Sequence, residues 1–273
     1  MARLSDTSPE AERVLIEAYR RMPVGRKWLA LGVTYGDARI LHLAGFRQRR
    51  PGSDNWEAHR DWLTVNVGFT GPVPPFEPAS NWTGLNLRTV REVARSFDDI
   101  EIPHALGGSM ASSLYGFLRY TRGADFTAGP FPGAEAAFAG ALGPDYHLSP
   151  AAVQSAVRQR SSFTMVNTRT GIKVDVFVRK DEPFEQSAMQ RRTSLPLPDA
   201  PEQPLAFQTP EDIVLFKLRW YRLSDERSDQ QWADVLGVLK VQAGKLDETY
   251  LDHWAADLGV ADLLQRARTE AVG

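Results

Sequence analysis

Cysteine is absent from the 273 residues. Its absence excludes disulfides, a thiolate nucleophile, an iron–sulfur cluster and cysteine-ligated zinc. Histidine is scarce, and His42, His59, His104, His147 and His253 show no metal-ligand spacing. No apolar run approaches the roughly 18 residues that a membrane span needs. Neither charge dominates: 32 Lys and Arg against 34 Asp and Glu leave a net charge of −2, which argues against a basic protein that coats nucleic acid. The opening MARLSDTSPEAERV lacks an apolar h-region, so no secretory signal is expected. What the chain does have is 42% apolar residues with 7 Trp and 13 Phe, the composition of a folded core. At roughly 150 residues per domain, one large or two small domains are expected. The expectation is a soluble, cytoplasmic globular protein without membrane contact.

Four regions are expected. Residues 1–70 read as a helical N-terminal domain. Ser8-Pro9 is a helix start, Val14, Leu15, Ala18, Tyr19 and Met22 recur on one face, and Asp54 with Glu57 has capping-box spacing. Trp28, Trp56 and Trp62 read as core, and the Arg47–Arg50 cluster reads as a helix C-terminus. Residues 71–84, with four prolines, read as a linker. Residues 85–209 alternate helical and strand-like stretches, which predicts a mixed α/β core. Within them Phe163–Asn167, a turn at Arg169-Thr170-Gly171, and Ile172–Val178 predict a hairpin. Residues 210–273 read as a helical C-terminal region.

Chemistry concentrates in the core. A strand-like Ile102–Leu106 runs into Gly107-Gly108-Ser109 and then a helix, a pattern that offers backbone N–H groups and a hydroxyl to a phosphate. The same tripeptide also suits an ordinary turn. Asp125 lies on the next strand-like piece. Asp175 sits between Val174 and Val176, where a carboxylate needs a cavity, a cation or a metal. Lys173 is two residues away and shares its strand face, so a structural ion pair would equally explain both residues. Arg119 and Arg122 read as phosphate contacts or as surface arginines. His104 precedes the Gly-Gly-Ser turn and reads as a general base or as a satisfied strand histidine.

GGSMASSLYGFLRYTRGADF, GIKVDVFV and PEDIVLFKLRWYRLSDERSDQQWADVLGVL, taken together over roughly residues 100–270, resemble the minimal nucleotidyltransferase superfamily, specifically its AbiEii-toxin-like branch of toxin–antitoxin systems. The resemblance implies a nucleotidyltransferase-like mixed sheet flanked by helices. It implies a nucleoside triphosphate held at Gly108 and Ser109, with Arg119, Arg122 and Lys173 as further nucleotide contacts, and Mg²⁺ at Asp125 and Asp175. It implies catalytic roles for Asp175, Lys217 and Asp234, and transfer of a nucleotide to a hydroxyl acceptor. Two positions depart from the pattern: Gly123 stands where the first metal-binding aspartate belongs, and Ala233 where an arginine precedes Asp234. The alternatives are therefore a degenerate binding module, or an enzyme reusing the cleft for metal-independent chemistry on a small molecule. A protein partner fits either; a strong nucleic-acid signal is lacking.

Overall fold

Side-chain caps fix the starts of α-helices at Ser8, Asp54, Ser149, Ser228 and Asp247. The computed structural model describes residues 8–73 and 84–272; the expected linker therefore lies, over 74–83, outside the described residues. The elements run α1 (Pro9–Arg21), α2 (Val24–Arg49), α3 (Asn55–Val67), α4 (Leu85–Asp98), β1 (His104–Leu106), α5 (Gly108–Tyr115) and β2 (Gly123–Ala128). They continue with α6 (Glu135–Leu142), β3 (Tyr146–His147), α7 (Pro150–Gln159), β4 (Ser162–Asn167), β5 (Ile172–Val178) and α8 (Pro183–Arg191). The chain closes with β6 (Thr193–Leu197), β7 (Ala200–Phe207), α9 (Pro210–Leu223), α10 (Asp229–Val241), α11 (Glu248–Asp257) and α12 (Ala261–Val272). Ser8 and Ser149 cap α1 and α7, each followed by proline at the first helical position. At α3 the capping box is complete: Asp54 accepts the Glu57 N–H at 2.7 Å, and Glu57 accepts the Asp54 N–H at 3.1 Å.

The fold is α/β. Seven strands form one sheet in the order β3–β4–β5–β2–β1–β7–β6. The β2–β5 and β1–β7 pairs are parallel and the other neighbours antiparallel, so the sheet is mixed. β5 alternates strictly, with Ile172, Val174, Val176 and Val178 buried while Lys173, Asp175 and Phe177 are half-buried. The buried face packs on a chain of aromatic contacts in which Phe97 meets Phe138 at 4.6 Å and Phe138 meets Phe163 at 5.9 Å. The opposite face of β2 and β5 carries the polar residues.

Two compact units account for the chain. One comprises residues 28–110 and 119–209 and holds the whole sheet, most of α2, and α3, α4, α6, α7 and α8. The other holds α1 and α9–α12, and α5 is divided between them. In this second unit Arg20 donates to the Lys240 carbonyl at 2.7 Å, Glu12 pairs with Lys240, and Tyr19 meets Phe117 edge-on at 5.4 Å.

Within the sheet unit, α2 and α3 grip the turn between β4 and β5. The Tyr35 hydroxyl donates to the Thr170 carbonyl at 2.5 Å, and Asn66 donates to the Gly171 carbonyl at 3.1 Å. Gly171 has φ +74, and a Cβ there would stand 2.6 Å from the Trp62 indole nitrogen, so only glycine fits. Arg39 and His59 are completely buried. Arg39 lies 2.8 Å from His59 Nδ1, and His59 Nε2 lies 2.7 Å from the Thr168 carbonyl oxygen. A guanidinium only donates, so Nδ1 accepts and the proton sits on Nε2, donated to Thr168. Trp28 and Trp62 are core residues, as expected, whereas Trp56 is half-buried and stacks on His59.

Burial, with the Arg39 charge adding to it, lowers His59 to about 4 against the pull of the Thr168 carbonyl. The unfolded chain therefore binds a proton that the folded one refuses. Stability from this residue is full above pH about 6.5 and declines as pH falls towards about 4, by up to about 3 kcal/mol. Urea unfolding at pH 7, 6 and 5 should show this decline. His59→Gln should make the decline shallower, leaving the part due to His42 and His104, while lowering stability at pH 7.

Candidate functional site

The parallel register of β2 and β5 sets Asp125 directly beside Asp175, with Gly123 beside Lys173 and Thr127 beside Phe177. Residues so paired share a face at a strand spacing of about 4.8 Å. On the other side of β5, Thr164 is the register partner of Asp175. Thr164 donates its hydroxyl to Asp175 Oδ1 at 2.5 Å, and Lys173 Nζ lies 2.7 Å from Oδ2. Each Asp175 oxygen thus has a donor, although the side chain keeps 23% of its exposure.

Asp125 is tied to the start of α5. The Gly107 N–H donates to the Asp125 main-chain carbonyl at 2.7 Å, and the Ser109 N–H donates to Asp125 Oδ2 at 3.3 Å. Gly108 has φ +54, and a Cβ there would stand 1.9 Å from Oδ2. The carboxylate rests against bare backbone at a helix N-terminus, where the partial positive charge of the free N–H groups favours it. Arg119 donates to the Ser109 hydroxyl at 2.7 Å and to the Tyr120 carbonyl at 3.1 Å. Gly108, Ser109, Arg119, Asp125, Lys173 and Asp175 therefore belong to one neighbourhood; Arg122 is exposed just ahead of β2.

Position 123 is closed. A Cβ on Gly123 would lie 2.4 Å from the Lys173 carbonyl oxygen, a backbone atom that cannot swing aside. An aspartate here would require β2 and β5 to move apart. Among the described residues no three His, Asp or Glu side chains converge. The Mg²⁺ expected at Asp125 and Asp175 meets two carboxylates that already hold an ammonium, a hydroxyl and a backbone N–H. Side chains arranged this way do not fit a ready metal site, because the ion would first have to displace Lys173 from Asp175.

Thr164, Thr127 and Gln208 join the row without having been singled out in the sequence. Gln208 donates to the Thr127 hydroxyl at 2.9 Å, and its side-chain amide lies over Gly107, where a Cβ would meet Oε1 at 2.4 Å. His104 lies elsewhere: it pairs in register with Ala128 on the buried face and stacks on Phe97 at 5.3 Å. Burial lowers its pKa, and the residue is a core histidine with no path to Asp175. Lys217 and Asp234 meet in the helical unit. Lys217 Nζ is 2.8 Å from Asp234 Oδ2 and 2.8 Å from Gln231 Oε1, and both charged residues are buried.

Two stability tests follow from these contacts. Gly108→Ala should lower stability by about 2 kcal/mol or more through its left-handed φ and the clash with Asp125. Gly133→Ala, also at positive φ but with nothing near its Cβ, should cost only about 1 kcal/mol in the same thermal denaturation series. Removing one member of the buried pair, as in Asp234→Ala, should cost about 3–5 kcal/mol. Lys217→Met combined with Asp234→Leu should cost far less, since each charge is removed together with the one it pairs with here.

No family model matches the sequence, and no curated protein matches it. The chain overlaps the solution structure of the antibiotic-resistance factor ANT(2'')-Ia at 14% identity, covering 68% of this chain and 98% of that one, with TM-score 0.38. It overlaps crystalline ANT(2'')-Ia in complex with adenylyl-2''-tobramycin at 14% identity, covering 64% and 97%, with TM-score 0.37. An antigenic nucleotidyltransferase-like protein from Paracoccidioides brasiliensis overlaps at 19% identity, covering 67% and 92%, with TM-score 0.38. Overlaps this loose assign no activity; the site geometry must carry it.

Proposed function

We propose that the chain is a nucleotidyltransferase-type protein that takes the phosphates of a nucleoside triphosphate beside Ser109 and Arg119. The observation that carries this reading is the abreast pair Asp125 and Asp175, set against the opening turn of α5. Arg119 and the Ser109 hydroxyl supply donors suited to phosphate oxygens. In the transfer step an acceptor hydroxyl attacks the α-phosphorus, pyrophosphate leaves, and the hydroxyl proton passes to an Asp175 oxygen. Lys173 and Thr164 hold that carboxylate in place. No step is assigned to Mg²⁺, which the present side chains do not fit. The AbiEii-like resemblance adds Lys217 and Asp234 as catalytic residues, while their mutual burial supports a packing role.

A second reading, a nucleotide-binding module without transfer, is favoured by the closed position at Gly123. Restoring an aspartate there would not separate the two, because the substitution clashes with the Lys173 backbone. Calorimetric titration with ATP, CTP, GTP and UTP, each with and without Mg²⁺, tests what both readings share. Binding is expected, weakened about fivefold by Ser109→Ala and about ten- to a hundredfold by Arg119→Ala. Heatless titrations under every condition would discard both. Release of pyrophosphate in the presence of a hydroxyl acceptor favours transfer over binding alone.

A further inference from the structure

We propose that Lys173 is a tethered cation that keeps divalent metal off the Asp125–Asp175 pair, so that phosphate reaching this site meets an ammonium group instead of a metal ion. The inference deepens the reading above and rests on it only for the phosphate.

Three observations converge. Lys173 lies two residues before Asp175 on the same strand, so its side chain leaves the same face, and its ammonium sits 2.7 Å from Oδ2. Thr164 occupies the other oxygen at 2.5 Å, and Asp125 Oδ2 already accepts the Ser109 N–H at 3.3 Å. The residue facing Lys173 across the strands is Gly123, which has no side chain to compete with the lysine stem and no room for one. Glycine at 123 and lysine at 173 thus act together: one withholds a carboxylate, and the other supplies a positive charge.

Physical chemistry favours the ammonium under these conditions. Mg²⁺ demands near-octahedral oxygen ligands at about 2.0–2.1 Å and gives up water reluctantly. An ammonium needs only acceptors at hydrogen-bond distance, and charge-assisted bonds of this kind are among the stronger ones. Arg119, donating to the Ser109 hydroxyl, brings a second positive charge to the same neighbourhood. The difference from a metal is specific: the cation comes with the chain and cannot be removed by chelation.

Mn²⁺ titration of the free protein, followed by the loss of its free-ion paramagnetic signal, tests the proposal without any turnover. Wild type and Lys173→Arg should bind Mn²⁺ weakly. Lys173→Ala should bind at least tenfold more tightly, and Lys173→Ala with Asp175→Asn should lose that gain. Lys173 is 40% exposed, so its truncation leaves the core intact. Equal Mn²⁺ affinity in wild type and Lys173→Ala would overturn the proposal. ATP titration in EDTA separates it from the reading beneath it. Binding of ATP only with added metal keeps the nucleotide and overturns the tethered cation. A gain of Mn²⁺ on Lys173→Ala without ATP binding supports the tethered cation and overturns the nucleotide.

Discussion

Two carboxylates standing abreast on neighbouring parallel strands are the constraint around which the sheet unit is arranged. Bare charges about 5 Å apart repel by about 3 kcal/mol even at an effective dielectric near 20. The surroundings offset that cost one oxygen at a time. Lys173 and Thr164 take Asp175, and the opening N–H of α5 takes Asp125. Gly108 is required because the Asp125 carboxylate fills the space its side chain would need. The Gly-Gly-Ser turn is therefore an internal partner of Asp125 before it is a cradle for anything else. An incoming phosphate would have to share those donors, which is why Arg119 on the Ser109 hydroxyl matters to the proposed binding.

Register decides whether the carboxylates meet at all. A slip of one residue between β2 and β5 would turn either aspartate towards Phe126 and Val176 and the buried face. The turn joining β4 to β5 is held by three side chains of α2 and α3: Tyr35 on Thr170, His59 on Thr168 and Asn66 on Gly171. Such a grip is costly to build, since it buries Arg39 against an imidazole, and burial lowers the guanidinium to about 10. A buried, hydrogen-bonded network of this kind loses more from one missing member than from a clean apolar replacement. In return the hairpin carrying Thr164 and Asp175 is fixed at the end away from solvent-exposed β4 positions. The N-terminal helices thereby act on the site through the turn.

Local chemistry made much of this legible beforehand. Ser8-Pro9, Asp54 with Glu57 and the Arg169-Thr170-Gly171 turn each specify a boundary through one or two hydrogen bonds, and such signals need no partner strand. Lys173 and Asp175 were readable as a pair because spacing of two residues on a strand dictates a shared face. Thr164 was not readable, because its tie to Asp175 depends on the β4–β5 register. The strands β6 and β7 were hidden by Pro196, Pro201 and Pro204. Proline is tolerated there because β6 is the sheet edge and the first half of β7 is exposed. His104 is the satisfied strand histidine that was one of its two readings; adjacency to a glycine turn could not decide between them, because it says nothing about which face a strand residue takes.

Gly123 shows the difference between an absent residue and an altered design. From sequence alone, glycine in place of an aspartate reads as half of a metal grip removed, with the remainder left intact. Geometry couples it to Lys173 instead: the two are register partners, and the backbone of one excludes a side chain on the other. Glycine at 123 by itself would leave Asp175 without a counter-ion on that face. Here the counter-ion is already in place, two residues along the same strand. The bare backbone at Gly123 and the Lys173–Asp175 ion pair are thus one feature of the β2–β5 pair, and any chemistry assigned to this site has to start from a lysine on Asp175.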